Sequence, residues 1–352
     1  MTEPHEFAAE IIRRSASGYA GLAASLLTEK AEALSSQAGA REAWKDHLTQ
    51  RLIELSSALG VGEPRLFSER VVWSRKTFAA RNQDEQLLGL SLQCLKDVLD
   101  DTLPANAATP VHRYLDAAIS ELQKPVPGPD ASGLDPDNEY GRLALNYLQD
   151  ILDGNGAQAS RRIVQAVEQG LSAEHAYIDV LLAAQKEIGR LWHASDVSVA
   201  EEHLVSMTTQ KTMAIIAYVA PRAPENGATV VSACVAGNAH DIGARALSDL
   251  YYLSGWRSIF LGADVPVADL PTALNAYNAA VITLTATLTT QADQAAEAVR
   301  LIHAGCERPV KVLVGGALFD EAPELAQEIG ADAYSADLRE AVQLSATFLT
   351  SG

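Results

Sequence analysis

The sequence is poor in three features that often decide the class of a protein. It has three widely spaced cysteines (Cys94, Cys234 and Cys306), which make neither a disulfide framework nor a CxxC metal pair. It has no run of about 18 apolar residues and no signal segment, so we expect a cytoplasmic protein without a membrane span. Its 27 Lys and Arg residues are outnumbered by 45 Asp and Glu residues, giving a net charge of −18. This charge disfavours direct binding to nucleic acid or to an anionic membrane, because both need a basic surface.

A segment rich in Pro, Gly, Asp and Ser, QKPVPGPDASGLDPDNEYG, has the composition of a linker. We place this linker at residues 126–138. Before it, apolar residues recur every three or four positions, which predicts an all-helical domain of five or six helices over residues 1–125. After it, four helical patterns with short connections predict an antiparallel four-helix bundle over residues 139–222.

The pattern changes over residues 226–352, where short runs rich in β-branched residues alternate with helical patterns. The runs are ATVVSACVAG, RSIFLGA, AAVITLTATL and VKVLVGGAL. This alternation predicts a Rossmann-like (flavodoxin-like) domain, in which ligands bind beyond the carboxyl ends of parallel strands. The expected fold class is therefore multi-domain, with α and α/β parts.

One histidine, His240 in VAGNAHDIG, follows the first of these strands. A lone histidine in such a loop is more often structural than a metal ligand. Residues at the ends of other strands strengthen the case for a ligand site: Thr285 follows a later strand, and Gly315 and Gly316 follow the next. Glycines at strand ends let a flat ligand approach the backbone. The glycine spacing does not match a phosphate-binding loop.

These motifs resemble the cobalamin-binding fold, which has His-x-x-Gly after the first strand, Ser/Thr-x-x-Leu after a later one and Gly-Gly after the next. By this resemblance His240 is the lower ligand of cobalt, and the four-helix bundle covers the upper face of the corrin. The resemblance assigns the following residues of this loop and sheet edge to cobalamin binding: Asn238, His240, Asp241, Ile242, Gly243, Thr285, Leu288, Gly315 and Gly316.

A second motif lies in LWHASDVSVAEEHL, where Trp192 is followed after nine residues by Glu202 and His203. It resembles the Trp-x9-Glu-His signature of cobalamin-dependent photoreceptors of the CarH type. Taken alone, the motif is explained by ordinary helix packing. The resemblance implies that adenosylcobalamin is the cofactor, that Trp192 shapes the adenosyl pocket and that Glu202 contacts the adenosyl group. It also implies that His203 becomes the upper cobalt ligand after light breaks the Co–C bond.

Asn238 stands where corrinoid enzymes typically carry an acid. Its amide oxygen can accept a hydrogen bond from the ring of His240, but it brings no charge and no proton relay. We interpret this residue as favouring a light sensor over a methyl carrier. The alternative is that Asn238 caps the loop.

The helical region before the linker, joined to such a module, resembles the photocobilins, which pair cobalamin with biliverdin. VVWSRKTF and PVHRYL offer aromatic walls and polar groups for the propionates of a bilin. The candidate residues are Trp73, Arg75, Lys76, His112, Arg113 and Tyr114. Ordinary core aromatics beside solvated charges explain the same residues equally well.

The predicted function is a light sensor rather than an enzyme, with a change of quaternary structure as its output. We expect a homo-oligomer that signals to a downstream protein. Two alternatives stay open: a corrinoid carrier of a methyltransferase system, which is an enzyme component, and a cobalamin-binding regulator that does not respond to light.

Overall fold

The computed structural model describes residues 4–125 and 131–350 and divides into two compact units. The first comprises Met1–Gly128 and Leu288–Asp293, and the second comprises Pro129–Thr287 and Gln294–Gly352. Residues 126–130 of the predicted linker lie outside the described residues. Across the described ranges, no helix combines the length and the hydrophobicity needed to cross a membrane.

The N-terminal region is helical, as its apolar periodicity predicts. Its helices are α1 (Pro4–Lys30), α2 (Glu32–Ser35), α3 (Ala40–Gly60), α4 (Pro64–Ala80), α5 (Glu85–Thr102) and α6 (Ala105–Leu122). Two helix starts are fixed by acidic caps: Glu63 accepts the Arg65 N–H at 3.0 Å and Asp84 accepts the Gln86 N–H at 2.9 Å. Buried alanines of α1 and buried leucines of α3 form much of the core between these two helices.

A polar cluster is buried on one face of α3. Arg51 donates to Glu54 Oε1 at 2.8 Å and to the Arg70 carbonyl oxygen at 3.0 Å. One turn before Arg51, the His47 ring contacts Trp44 and Phe78, with centroid separations of 5.3 and 5.8 Å. Burial, and secondarily the charge of Arg51, lowers the pKa of His47 from 6.5 to about 4.

We expect this depressed pKa to make the stability of the N-terminal unit depend on pH. Between pH 6.5 and about 4 the unfolded chain binds a proton at His47 that the folded chain does not bind, so the free energy of unfolding falls as the pH is lowered. The loss is at most about 3 kcal/mol, from 1.36 kcal/mol per pKa unit. Urea unfolding of wild type and His47→Gln at about pH 7 and about pH 4.5 measures it. A variant with the same loss as wild type would contradict this assignment.

The second unit begins with a helical bundle. Its helices are α7 (Glu139–Leu152), α8 (Gly156–Glu168), α9 (Ala173–His175), α10 (Ala183–His193) and α11 (Val199–Val219), and a π-helix (Ala176–Leu182) joins α9 to α10 without a break. The start of α11 is fixed by a capping box, in which Ser198 and Glu201 each accept the other's backbone N–H. Four long helical segments therefore occupy the four regions where the apolar patterns predict them.

The sheet of the second unit has five parallel strands in the order β2-β1-β3-β4-β5. The strands are β1 (Thr229–Val235), β2 (Arg257–Val265), β3 (Val281–Thr285), β4 (Lys311–Gly315) and β5 (Ala333–Tyr334). The helices are α12 (Ile242–Leu253), α13 (Leu270–Tyr277), α14 (Ala292–Gly305), α15 (Ala317–Glu321), α16 (Glu324–Glu328) and α17 (Leu338–Thr350). This is the flavodoxin-like order, so the predicted fold class is confirmed, and the strand order reverses between β1 and β3.

The bundle packs on α12, the helix that directly follows the His240 loop. Tyr177, in the π-helix, is fully buried. Its hydroxyl oxygen lies 2.7 Å from the Met213 carbonyl oxygen and 2.9 Å from Asp249 Oδ2 on α12. Asp249 is held from the other side by Arg245 at 3.2 Å. Burial raises the pKa of Asp249 against the opposing effect of Arg245. This polar contact ties α12 to the bundle through a buried side chain.

Candidate functional site

The loop between β1 and α12 is held in place by backbone-directed hydrogen bonds from the neighbouring strand β2. Gly237 has a φ of 79° and donates its N–H to Asp264 Oδ1 at 2.6 Å. The Asp264 N–H in turn donates to the Asn238 carbonyl oxygen at 3.0 Å. Asp264 itself adopts a positive φ of 51°, at the carboxyl end of β2. The loop therefore starts from a fixed position at the ligand-binding edge of the sheet.

Asn238 is fully buried and joins this loop to β3. Its Oδ1 accepts the His240 backbone N–H at 3.0 Å, and its Nδ2 donates to the Thr285 carbonyl oxygen at 2.9 Å. Within the described residues, no hydrogen bond joins this side chain to the His240 ring. The interaction with the ring that the sequence suggested is thus not formed, and the alternative, in which Asn238 caps the loop, describes the structure.

His240 is exposed at the carboxyl edge of the sheet, where the strand order reverses between β1 and β3. Its ring nitrogens have no hydrogen-bond partner among the residues that the structure describes. Asp241, the next residue, is half-buried and accepts a hydrogen bond from Gln210 Nε2 at 3.2 Å. An imidazole whose backbone is held while its ring is open to solvent is suited to binding an external metal ion.

The glycines at this edge differ in what surrounds them. A Cβ at Gly316, where φ is 96°, would overlap the Ala286 carbonyl oxygen, so the fold itself requires glycine there. A Cβ at Gly315 would lie 3.1 Å from the Ser335 carbonyl oxygen. Gly243, in the first turn of α12, has no atom within 4 Å of where its Cβ would be. The space beside Gly243 is open for a ligand.

The remaining predicted residues of this edge have separate positions. Thr285 is half-buried, and its carbonyl oxygen receives the Asn238 bond described above. Ile242 is half-buried and packs against the apolar core of the bundle. Leu288 belongs to the short segment that groups with the N-terminal unit, and its N–H donates to Gln291 Oε1 at 3.0 Å.

The three residues of the second motif lie on the bundle. Trp192 is half-buried near the end of α10, and Glu202 and His203 lie in the first turns of α11. Glu202 Oε1 accepts from the Ser206 hydroxyl at 2.6 Å, and Glu202 Oε2 lies 3.1 Å from His203 Nδ1. The motif residues on α11 are therefore in contact with one another.

The tautomer of His203 follows from its hydrogen bond. His203 Nδ1 lies 2.8 Å from the Val199 carbonyl oxygen, which can only accept, so Nδ1 carries the hydrogen. In the neutral ring this leaves Nε2 with a free lone pair. The side chain is 68% exposed, so Nε2 is available to a metal ion outside the helix.

Gln210 connects the two halves of the candidate site. It lies seven residues after His203 on α11, which is close to two helical turns, so the two side chains share a face about 10 Å apart. Because Gln210 bonds to Asp241, that face of α11 reaches the loop that carries His240. Gln210 and Asp264 were not predicted as site residues, because a single polar residue on a helix or at a strand end has no recognisable spacing.

The residues suggested for a bilin lie on α4 and α6, and protein groups already engage several of them. Arg75 donates to Glu85 Oε2 and to the Lys124 carbonyl oxygen, both at 2.8 Å. His112 pairs with Asp100, and Arg113 lies over the ring of the buried Tyr114, 5.6 Å from its centroid. Trp73 and Lys76 are the other two candidates; Trp73 is exposed and Lys76 half-buried.

Comparison with known proteins identifies the family. Residues 228–343 match the family model described as B12 binding domain, and residues 143–217 match a second model with the same description. Dimethylamine corrinoid protein 3 of Methanosarcina acetivorans is 30% identical over 179 residues, which are 51% of this chain and 79% of that protein. The chain belongs to the B12-binding corrinoid proteins. Residues 1–142 lie outside both family models, and the matched region is a cobalamin-binding module.

Two further matches place this B12-binding protein among its relatives. The HTH-type transcriptional repressor CarH of Myxococcus xanthus is 24% identical over 209 residues, which are 57% of this chain and 69% of that protein. The structure of the Methanosarcina barkeri monomethylamine corrinoid protein matches with a TM-score of 0.51 at 19% identity, covering 58% of this chain and 97% of that one. The structural match establishes a shared fold.

Two glycine substitutions should separate folding from cobalamin binding. Gly316→Ala puts a Cβ against a carbonyl oxygen at a positive φ, so we expect it to lower the free energy of unfolding by at least about 2 kcal/mol. Gly243→Ala enters open space, so it should leave stability unchanged within about 1 kcal/mol and reduce cobalamin retention. Thermal unfolding and retention on gel filtration measure the two effects. Full cobalamin retention in Gly243→Ala would show that the open space is not part of the site.

Proposed function

We propose that this protein is a light sensor that binds adenosylcobalamin between the His240 loop and helix α11. The observation that carries the proposal is the state of His203. Its Nδ1 hydrogen is committed to Val199, its Nε2 is open, and its helix face reaches Asp241 through Gln210. An open imidazole above the corrin is what a sensor needs if its upper ligand is to be replaced after illumination.

Each residue has a defined role in this proposal. Adenosylcobalamin supplies a cobalt–carbon bond that visible light cleaves. His240 would offer a ring nitrogen to the cobalt, and the open space beside Gly243 would leave room for the cofactor, while Gly315 and Gly316 allow close backbone packing at the same edge. Trp192 would form a wall of the upper pocket, Glu202 would accept hydrogen bonds from an adenosyl group, and His203 would supply an imidazole nitrogen to the upper side of the cobalt.

Asn238 supports the sensor for the reason suggested by sequence, although its amide does not bond to the His240 ring. Because both its polar atoms bond to backbone groups, the lower histidine gains neither a negative charge nor a proton relay from this side chain. A cofactor that cycles through low cobalt oxidation states benefits from an acid that tunes the lower ligand. A sensor that holds one Co–C bond until light breaks it has less need of one.

The output of the proposed sensor is a change in quaternary structure, passed to a protein partner by a homo-oligomer. The net charge of −18 argues against direct contact with nucleic acid. In this proposal the protein is not itself an enzyme.

A second function is favoured by the relatives. Dimethylamine corrinoid protein 2 of Methanosarcina acetivorans is 28% identical over 201 residues, covering 92% of that protein. The alternative is therefore a corrinoid carrier that passes a methyl group to or from a methyltransferase. A carrier has no use for an upper histidine that replaces an adenosyl group, so the response to light separates the two functions.

We expect green light to change the absorption spectrum of the full chain reconstituted with adenosylcobalamin in the dark. The product should have imidazole on both faces of cobalt in wild type, and His203→Ala should give a product without the upper imidazole. His303→Ala, which alters another exposed histidine in the same unit, is the matched control and should behave as wild type. A dark spectrum that light leaves unchanged would contradict the sensor and leave the carrier and the regulator that does not respond to light.

We also propose that the N-terminal unit binds biliverdin as a second chromophore, through the candidate residues on α4 and α6. The support is the aromatic and cationic groups exposed or half-buried there, in particular Trp73, His112 and Arg113. Arg113 is exposed and makes no ion pair within the described residues, so its guanidinium can reach a propionate.

Biliverdin added to the full chain should give a red-shifted, structured far-red absorption band. Arg113→Gln should weaken binding about tenfold, the expected effect of losing one hydrogen bond to a charged group. Arg14→Gln, at an exposed arginine of α1 paired with Glu10, is the control. Absence of the band would remove the bilin proposal and leave the cobalamin proposal intact.

A further inference from the structure

A continuous set of hydrogen-bonded side chains crosses the helical bundle and ends at Glu202. We call it the polar string and define it as Ser206, Gln185, Thr209, Tyr147, Thr212 and Ser160. Starting from Glu202, the successive distances are 2.6, 3.1, 2.8, 3.1, 3.3 and 2.8 Å. Its members come from α7, α8, α10 and α11, so it involves all four long helical segments of the bundle.

The string is unusual because most of it is buried in an otherwise apolar core. Tyr147, Thr209 and Thr212 are fully inaccessible, and Ser160 is nearly so. Burying several hydroxyl groups costs free energy unless each has a partner, and here each has at least one. Apolar side chains of the same size would fill this core as well, so packing alone does not account for the string.

Hydrogen counting identifies Gln185 as the junction of the string. Ser206 has one hydroxyl hydrogen, yet it lies within bonding distance of both Glu202 Oε1 and the Gln185 side-chain amide. Here the Gln185 oxygen faces Ser206, so Gln185 Oε1 and Glu202 Oε1 compete for that one hydrogen. If the amide is turned, its NH2 donates to Ser206 and the Ser206 hydrogen goes to Glu202. The orientation of one amide therefore decides whether Glu202 shares the Ser206 hydrogen with Gln185 or receives it alone.

The hydrogen bonds at the far end of the polar string are compatible with both orientations of the Gln185 amide. Thr212 donates to the Thr208 carbonyl oxygen at 2.8 Å, so it accepts from Tyr147. Thr209 can then either accept from the Gln185 NH2 and donate to Tyr147, or donate to the Gln185 oxygen. In both arrangements Gln185 and Thr209 are hydrogen-bonded to each other. The second leaves the Ser206 hydrogen to Glu202 alone, and it leaves no hydrogen for the Thr209–Tyr147 contact, because the Tyr147 hydrogen goes to Thr212.

We propose that Gln185 is a positioning residue that acts through Ser206 to orient the Glu202 carboxylate toward the upper face of the corrin. The inference rests on the proposed function, because it requires Glu202 to contact the upper group of the cofactor. An oriented carboxylate favours an upper group that carries hydroxyl donors, such as the ribose of a nucleoside, over a methyl group. The string thereby sets which cobalamin the protein prefers.

The test measures the ratio of the dissociation constants of methylcobalamin and adenosylcobalamin for the full chain in the dark. Gln185→Met keeps the side-chain volume and removes both polar atoms, and we expect it to reduce the preference for adenosylcobalamin about tenfold. Ser206→Ala, at a half-buried helix position that tolerates alanine, should give the same change. Gln158→Met is the control, since Gln158 bonds to Asp150 on the bundle surface and takes no part in the string.

The outcomes separate the inference from the proposed function. A loss of preference in Gln185→Met and Ser206→Ala, with the melting temperature and methylcobalamin binding retained, supports the inference. An unchanged ratio in both variants, or equal weakening of both cobalamins, overturns it and leaves the light sensor standing. A wild-type chain without any preference for adenosylcobalamin overturns the inference together with the role of Glu202.

Discussion

The two hydrogen bonds of the Asn238 amide are the interaction on which the candidate site depends. One fixes the backbone of His240 and the other fixes the loop to the end of β3, at the place where the strand order reverses. Because the Asn238 side chain is fully buried, losing one of these bonds would leave an unsatisfied polar group as well as a loosened loop. The exposed ring of His240 is thus carried by a rigid support, which is what an axial ligand requires.

The support extends from the sheet into the bundle through a few polar contacts. Gln210 donates a hydrogen bond to Asp241 beside His240, and Tyr177 is hydrogen-bonded to Asp249 on α12, the helix that follows the His240 loop. Gln210 lies on α11, and the same helix carries His203 two turns away. A change in ligation at either histidine would therefore act on a helix that is packed against the helix or loop carrying the other.

Much of the second unit could be predicted from sequence because its signals are periodic. The four bundle helices follow from apolar spacing, and the first four strands follow from β-branched runs between helical patterns. β5 was missed because two residues, Ala333–Tyr334, are too few to make a pattern, and the π-helix was missed because its side chains read as one long helix. The His240 loop was found by its motif, but its support was not, since Asn238 could equally bond to a ring or to backbone. Only coordinates distinguish those two partners.

The most direct test of the account asks whether a protein histidine is the lower ligand of cobalt. The electron paramagnetic resonance spectrum of the bound cob(II)alamin form resolves the nuclear spin of the axial nitrogen. In protein labelled with 15N-histidine and loaded with unlabelled cobalamin, we predict that the nitrogen triplet becomes a doublet, and that His240→Ala abolishes the doublet. A triplet that persists in the labelled protein would mean that the cofactor's own base is the lower ligand, and would contradict the role of His240.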